Sequence, residues 1–286
     1  MKNFVEVQNE AIQVIQTIFE YLEKQKTSEF TFEKVDKLEL AHLLIEHIGE
    51  HDGDLRDGLI YPNLAHLLYD KHLDETDLDK ITKLLISEKY LHFDLENYVE
   101  YSVLTRSFTV LQLANLVAVH NRDFIIHGKI IKDLYDKFLD YFAQEEDMRG
   151  FGEDVGFMHS IAHAADLFAQ LMKVQLFREN EIKTMFKAIT DKYKTDKLFF
   201  MYDEDERFVN AIMNGLERDV LDQEFVEGWI TDLGNYRKPK EWPQAYFITN
   251  NVKVLLRSLY FRVFEIEKYQ YVAEKIKQLL KDKVKL

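Results

Sequence analysis

The stretch Tyr101-Ser102-Val103-Leu104-Thr105-Arg106-Ser107-Phe108-Thr109-Val110-Leu111-Gln112-Leu113-Ala114-Asn115-Leu116-Val117-Ala118-Val119-His120-Asn121 decides the fold. Arg106 is its only formal charge, and apolar residues cover the whole circumference of the helix it would form. Such a helix is stable when other helices surround it. A membrane span would need about 20 mostly apolar residues, and Arg106, Gln112 and Asn115 interrupt this one. The stretch therefore reads as an inner helix of an all-α protein.

Outward from it, apolar residues recur at helical spacing. Phe4, Val7, Ala11, Val14, Ile15, Ile18, Phe19 and Leu22 follow the i, i+3, i+4, i+7 pattern. Further helices are predicted at about 33–50, 55–71, 76–89, 101–120, 128–145, 155–172, 179–193, 205–218, 223–233, 244–262 and 264–283. Asp, Ser and Gly punctuate the joints, as in Gly49-Glu50-His51-Asp52-Gly53-Asp54. No sustained alternation marks a strand. Three prolines and ten glycines are too few for a sandwich or barrel.

The composition narrows the class. The chain has 286 residues, 51 of them acidic and 37 basic, for a net charge of −14. That balance lacks the basic footprint that holds duplex DNA, so no nucleic-acid partner is expected. There is no cysteine, which removes disulfides, thiolate metal sites and a cysteine nucleophile. No apolar leader follows Met1, no span is expected, and the reading is cytoplasmic without a membrane partner. The lysines of the C-terminal helix fit a solvated end. Gly234 to Pro243, with two of the three prolines and Trp242, reads as an exposed loop that could pin a partner, although Trp242 packing on its own domain is the commoner outcome.

An arginine recurs at 56, 106, 149, 207 and 257. Three of these lie in Asp-x-Arg units at predicted helix starts: Asp54–Arg56, Asp147–Arg149 and Asp205–Arg207. The spacing suits two helices per repeat, near the HEAT and armadillo range. The expected fold is thus an α-α superhelix, a HEAT- or armadillo-like solenoid of about twelve helices in one domain, residues 1–286. A ladder of Asp–Arg pairs between repeats is the plainer role for these arginines, and gripping a ligand the bolder one. Some tyrosines near them, Tyr98, Tyr101 and Tyr202, could line a concave face.

The predicted 155–172 helix carries the strongest chemical signal. At 100° per residue, His159, His163, Asp166 and Gln170 share one arc of roughly 60°, and the rest is apolar. An ordinary solvated stripe would use Lys and Glu. A structural network in which Asp166 orients His163 is one reading, and a ligand groove is another. A zinc, manganese or iron site completed by Glu146, Asp147, Glu204 or Asp205 is a third. Residue 160 is serine, so the His-Glu-x-x-His pattern is absent. Upstream, Gly150, Gly152 and Gly156 mark a tight loop leading into the helix, and its spacing is neither a dinucleotide fingerprint nor a P-loop. Its free N–H groups, with the arginines, give a weaker anion-binding reading.

Four segments together resemble a bacterial family of helical proteins, domain of unknown function 2785. They are Ile48 to Asp57, Leu104 to Phe108, Asp147-Met148-Arg149-Gly150 through His159-Ser160-Ile161-Ala162-His163-Ala164-Ala165-Asp166, and Asp205-Glu206-Arg207. They cover about residues 40–210. Members usually read Lys-Gly-Trp-Ala-His where this chain has Val155-Gly156-Phe157-Met158-His159, and have glycine at Ala164. The resemblance implies a helical, HEAT-like fold and brings no established activity.

The functional expectation is a binding module whose concave groove is lined by His159, His163, Asp166, Arg106, Arg149 and Arg207. It would hold a peptide, a protein segment or a small ligand and need no cofactor. The alternative is a hydrolase-like enzyme. There, His159 and His163 are metal ligands or an acid/base pair and Asp166 is their third ligand or orienter.

Overall fold

In a computed structural model that describes residues 17–97 and 99–282, helices follow one another from end to end. Helix α1 covers 17–27. It is followed by α2 (Lys37–Glu46), α3 (Gly53–Leu55), a π-helical turn (Arg56–Ile60) leading directly into α4 (Tyr61–Tyr69), and α5 (Glu75–Leu85). Then come α6 (Ser102–Asp123), α7 (Gly128–Gln144), strands β1 (Phe151–Gly152) and β2 (Gly156–Phe157), α8 (Ser160–Leu171) and α9 (Glu179–Tyr193). The chain continues through α10 (Glu204–Glu217), α11 (Gln223–Leu233) and α12 (Gln244–Val263). A 3-10 turn (Glu267–Tyr269) leads into α13 (Gln270–Asp282). The apolar positions 4–15, Tyr98 and the last lysines lie outside the described residues.

The helices form two rows. Helices α4, α6, α8, α10 and α12 pack side by side in that order, and α5, α7, α9, α11 and α13 form the second row against them. Helix α6 sits in the middle of the first row with Val103, Leu104, Val110, Leu113, Leu116 and Val117 fully buried. It is long and apolar enough to cross a membrane, yet 78% of its most apolar window is covered by the rest of the chain. Core side chains run as one continuous cluster from Leu22 to Leu280. Its aromatic centre is Phe138, Phe142, Phe168 and Phe208, with rings about 5–6 Å apart.

Two kinds of helix start recur. Asp36, Asp74 and Asp222 cap α2, α5 and α11, their carboxylates accepting from backbone N–H groups in the first turn. The first-row helices α6, α8 and α10 instead begin from Tyr101, His159 and Asp203. All three are left-handed, at φ 65°, 49° and 70°, and make no side-chain cap bond.

Three expectations need correction. The helix predicted from 155 starts only at Ser160, because Phe151–Gly152 and Gly156–Phe157 pair as a minimal antiparallel hairpin. The Asp-x-Arg units are not a pairing ladder: Arg149 pairs with Asp147, but Asp54 pairs with no arginine and Asp205 binds Ser258. Trp242 is 69% exposed and stacks only on Tyr246.

Candidate functional site

The hairpin exists because a buried cation collects its carbonyls. Arg56 is fully buried in the π-helical turn. It donates to the carbonyls of Val155 at 2.8 Å, Phe157 at 3.1 Å and Glu50 at 2.7 Å, and lies over the Phe108 ring. Asp57 supplies its carboxylate partner. Gly150 lets Tyr202 pack on the hairpin base, since a Cβ there would fall 2.1 Å from the Tyr202 ring. The backbone N–H groups of Met158 and His159 both donate to the Gly150 carbonyl. His159 therefore stands one residue ahead of α8 with its ring stacked on Phe157 at 4.4 Å. Its Nδ1 is buried without a partner. Burial, helped by the nearby positive charge of Arg207, holds it down at a pKa of about 4.

His163 is 4% exposed. Its Nδ1 lies 2.8 Å from Ser107 Oγ, and that oxygen also lies 2.5 Å from the Met158 carbonyl. A carbonyl can only accept, so the Ser107 hydroxyl donates to Met158 and His163 Nδ1–H donates to Ser107. The ring is neutral, its pKa well below the ordinary histidine value through burial and then through His159 and Arg207. Ser107, not Asp166, orients His163. With its proton committed to a carbonyl in the core, Ser107 is a structural hydroxyl and not a nucleophile.

Asp166 turns the other way, accepting from Arg207 at 2.6 Å. Burial raises its pKa and the Arg207 guanidinium opposes that rise. His159 and His163 do come together, with ring centroids 5.5 Å apart. Among the described residues no three His, Asp or Glu side chains form a metal-ligand group. The proposed trio His159, His163 and Asp166 fails because Asp166 is engaged by a cation that also faces both imidazoles. The proposed completing carboxylates are elsewhere: Glu146 pairs with Lys197, Asp147 with Arg149, and buried Glu204 accepts from the Tyr202 N–H.

The arginines divide. Arg106 is 2% exposed and forms a bidentate pair with Glu145 at 2.6 and 2.9 Å, with further bonds to the Phe93 carbonyl and Ser102 Oγ. Arg149 chelates Asp147 and reaches over Tyr101 at 5.7 Å. Neither lines the groove described next. Arg207 touches it through Asp166.

That groove, of about 660 Å³, is walled by every helix of the first row from α4 to α12. Tyr61 comes from α4 and Leu111, Ala114, Asn115 and Ala118 from α6. Helix α8 supplies Asp166, Ala169 and Gln170, α10 supplies Asn210, Met213, Asn214 and Glu217, and α12 supplies Arg262, with Lys173 and Ile266 just past helix ends. Asp166 and Gln170 of the sequence stripe are in it, whereas His159 and His163 are not among its lining residues. Its amides tie the helices together. Asn214 Nδ2 donates to the Ala169 carbonyl at 2.9 Å, Asn121 Nδ2 to that of Gln170 at 2.9 Å, and Arg262 to Asn210 Oδ1 at 2.8 Å. Of these amides, Asn210 and Asn214 are the ones that the sequence reading missed. The signal was Asn210 and Asn214, four apart on one helix face.

A mostly helical protein of two helix rows with an amide-lined groove along one of them is the class these features define. The family model described as "Protein of unknown function (DUF2785)" matches residues 91–261, and the chain belongs to this family. The match runs further toward the C-terminus than the segments that carried the resemblance and leaves out Ile48 to Asp57. No curated protein and no solved structure matches the chain.

Proposed function

We propose that the protein is a binding module that holds a peptide, a protein segment or a small ligand in the first-row groove. The two rows would stack as a HEAT-like superhelix in one domain with the first row on its concave side. One observation carries this reading: all five first-row helices contribute side chains to one groove of about 660 Å³, within the range of ligand sites. The protein would act in the cytoplasm, and its net charge of −14 speaks against an anionic membrane surface or a nucleic acid as the partner. The binding role asks for no cofactor.

The enzyme alternative draws on the two neutral imidazoles side by side. It is the weaker reading, because Asp166 serves Arg207 and the Ser107 proton is committed to Met158. A screen of mixed fragments and short peptides, followed through the side-chain amide signals of ¹⁵N-labelled protein, tests the proposal. Hits should move Asn115, Gln170, Asn210 and Asn214. Hits that move only signals of the second row would overturn it.

A further inference from the structure

Three of the groove's amides, Asn214, Asn210 and Gln170, are only half used. Asn214 spends its nitrogen on the Ala169 carbonyl, which leaves Oδ1 without a partner. Asn210 spends its oxygen on Arg262, which leaves Nδ2. Gln170 receives Asn121 on its oxygen side and keeps Nε2. One acceptor and two donors thus remain on two neighbouring helices, held in place by the bonds their other ends make.

The groove's lining holds four charged side chains, of which Asp166 and Arg262 are paired and Lys173 and Glu217 are one of each sign. Arg262 is bound to Glu206 and Asp166 to Arg207, so neither a cluster of free cations for a phosphate nor one of free carboxylates for a metal is present. Among the described residues Tyr61 is the only aromatic ring in the lining, so they offer no stacking platform for a sugar or a nucleobase. What remains is neutral hydrogen bonding of both signs above small residues, Ala114, Ala118 and Ala169, over which a chain can approach closely.

Resting on the groove reading above, we infer that the ligand is an extended peptide segment recognised through its main chain. Its backbone N–H donates to Asn214 Oδ1, and its carbonyls accept from Asn210 Nδ2 and Gln170 Nε2. A peptide backbone is the polymer that offers a donor and an acceptor at every residue. The net charge of −14 steers basic segments toward the protein, and the amides supply the grip.

The test uses the full chain and a displayed library of random decapeptides. The tightest binder is then resynthesised with N-methyl groups on its central peptide bonds. The inference expects a loss of tenfold or more on N-methylation, and a loss of roughly three- to tenfold for Asn214→Ala or Asn210→Ala. Melting temperatures should stay within a few degrees of wild type, and affinity should fall with salt. An N-methylated peptide that binds unchanged overturns it. So does a groove that takes small-molecule fragments and no peptide, a result that spares the groove reading. If neither fragments nor peptides bind there, both readings fall.

Discussion

Replacing Arg106 by methionine separates a structural arginine from a ligand-gripping one. The guanidinium is 2% exposed and makes two charge-assisted bonds to Glu145, itself 3% exposed. Methionine matches much of the side-chain length but strips the Glu145 carboxylate of its guanidinium partner, while the Asp147 N–H still donates to it. Breaking a buried pair from one side costs about 3–5 kcal/mol, because the partner charge stays buried and unpaired. The freed Phe93 carbonyl adds about 1 kcal/mol if water cannot reach it. For a chain of this size each kcal/mol lowers Tm by roughly 2–4 °C, so a drop of about 10 °C is expected. The double variant Arg106→Met/Glu145→Gln removes both charges and should recover more than half of that loss. Thermal and urea unfolding of the wild type, both single variants and the double variant give the coupling directly. A Tm change below about 2 °C together with a loss of ligand binding would refute the reasoning and return Arg106 to the binding face.

In the fold His159 stays neutral down to about pH 4, where its pKa lies, whereas the unfolded ring takes its proton near 6.5. Between those values the unfolded state binds the extra proton, so stability falls as pH drops through this window and is unaffected above it. The ring is partly open to solvent, so the slope should be about 1 kcal/mol per pH unit, below the full linkage value. His159→Asn, which tolerates the left-handed backbone, should remove that share, and an unchanged acid limb would contradict it. Gly150→Ala drives a methyl into the Tyr202 ring and should cost about 1–3 kcal/mol, partly restored by adding Tyr202→Leu. If the single variant melts like wild type, the hairpin packing is wrong. Lys192, at the wall of a cavity of about 540 Å³ between α7 and α9, has its pKa pushed down by burial to about 8. Acetylation at pH 8, read by peptide mass mapping, should modify it ahead of the exposed, ion-paired Lys187, and a lagging Lys192 would refute the assignment.

How much of this was legible depends on the range of the interactions. The starts predicted at 76 and 223 fall within a residue of those of α5 and α11, because Asp capping acts within three residues, whereas α2, predicted from 33, begins at Lys37. The start of α8 could not, because Val155 to Met158 has helical apolar spacing and the force that bends it into a hairpin is Arg56, about a hundred residues away. The arginines were visible as a recurring feature, but their partners were not: Glu145 lies 39 residues from Arg106 and Asp166 lies 41 from Arg207. The His159, His163, Asp166 and Gln170 arc stands out in the sequence, yet its members serve different ends. His163 binds the core, His159 stacks on the hairpin, and only Asp166 and Gln170 reach the groove. A reading that sought titratable groups passed over Asn210 and Asn214, whose neutral amides carry no charge signal.

The most direct test of the central claim is a dissociation constant measured for wild type and for Ala118→Trp with the tightest ligand from the screen. Ala118 lies in the groove wall, half-buried, and the indole would fill the space without breaking any of the bonds described. The account predicts that the variant melts near wild type and loses affinity by a hundredfold or more, about 2.7 kcal/mol. A folded variant that binds as tightly as wild type would show that the ligand lies elsewhere.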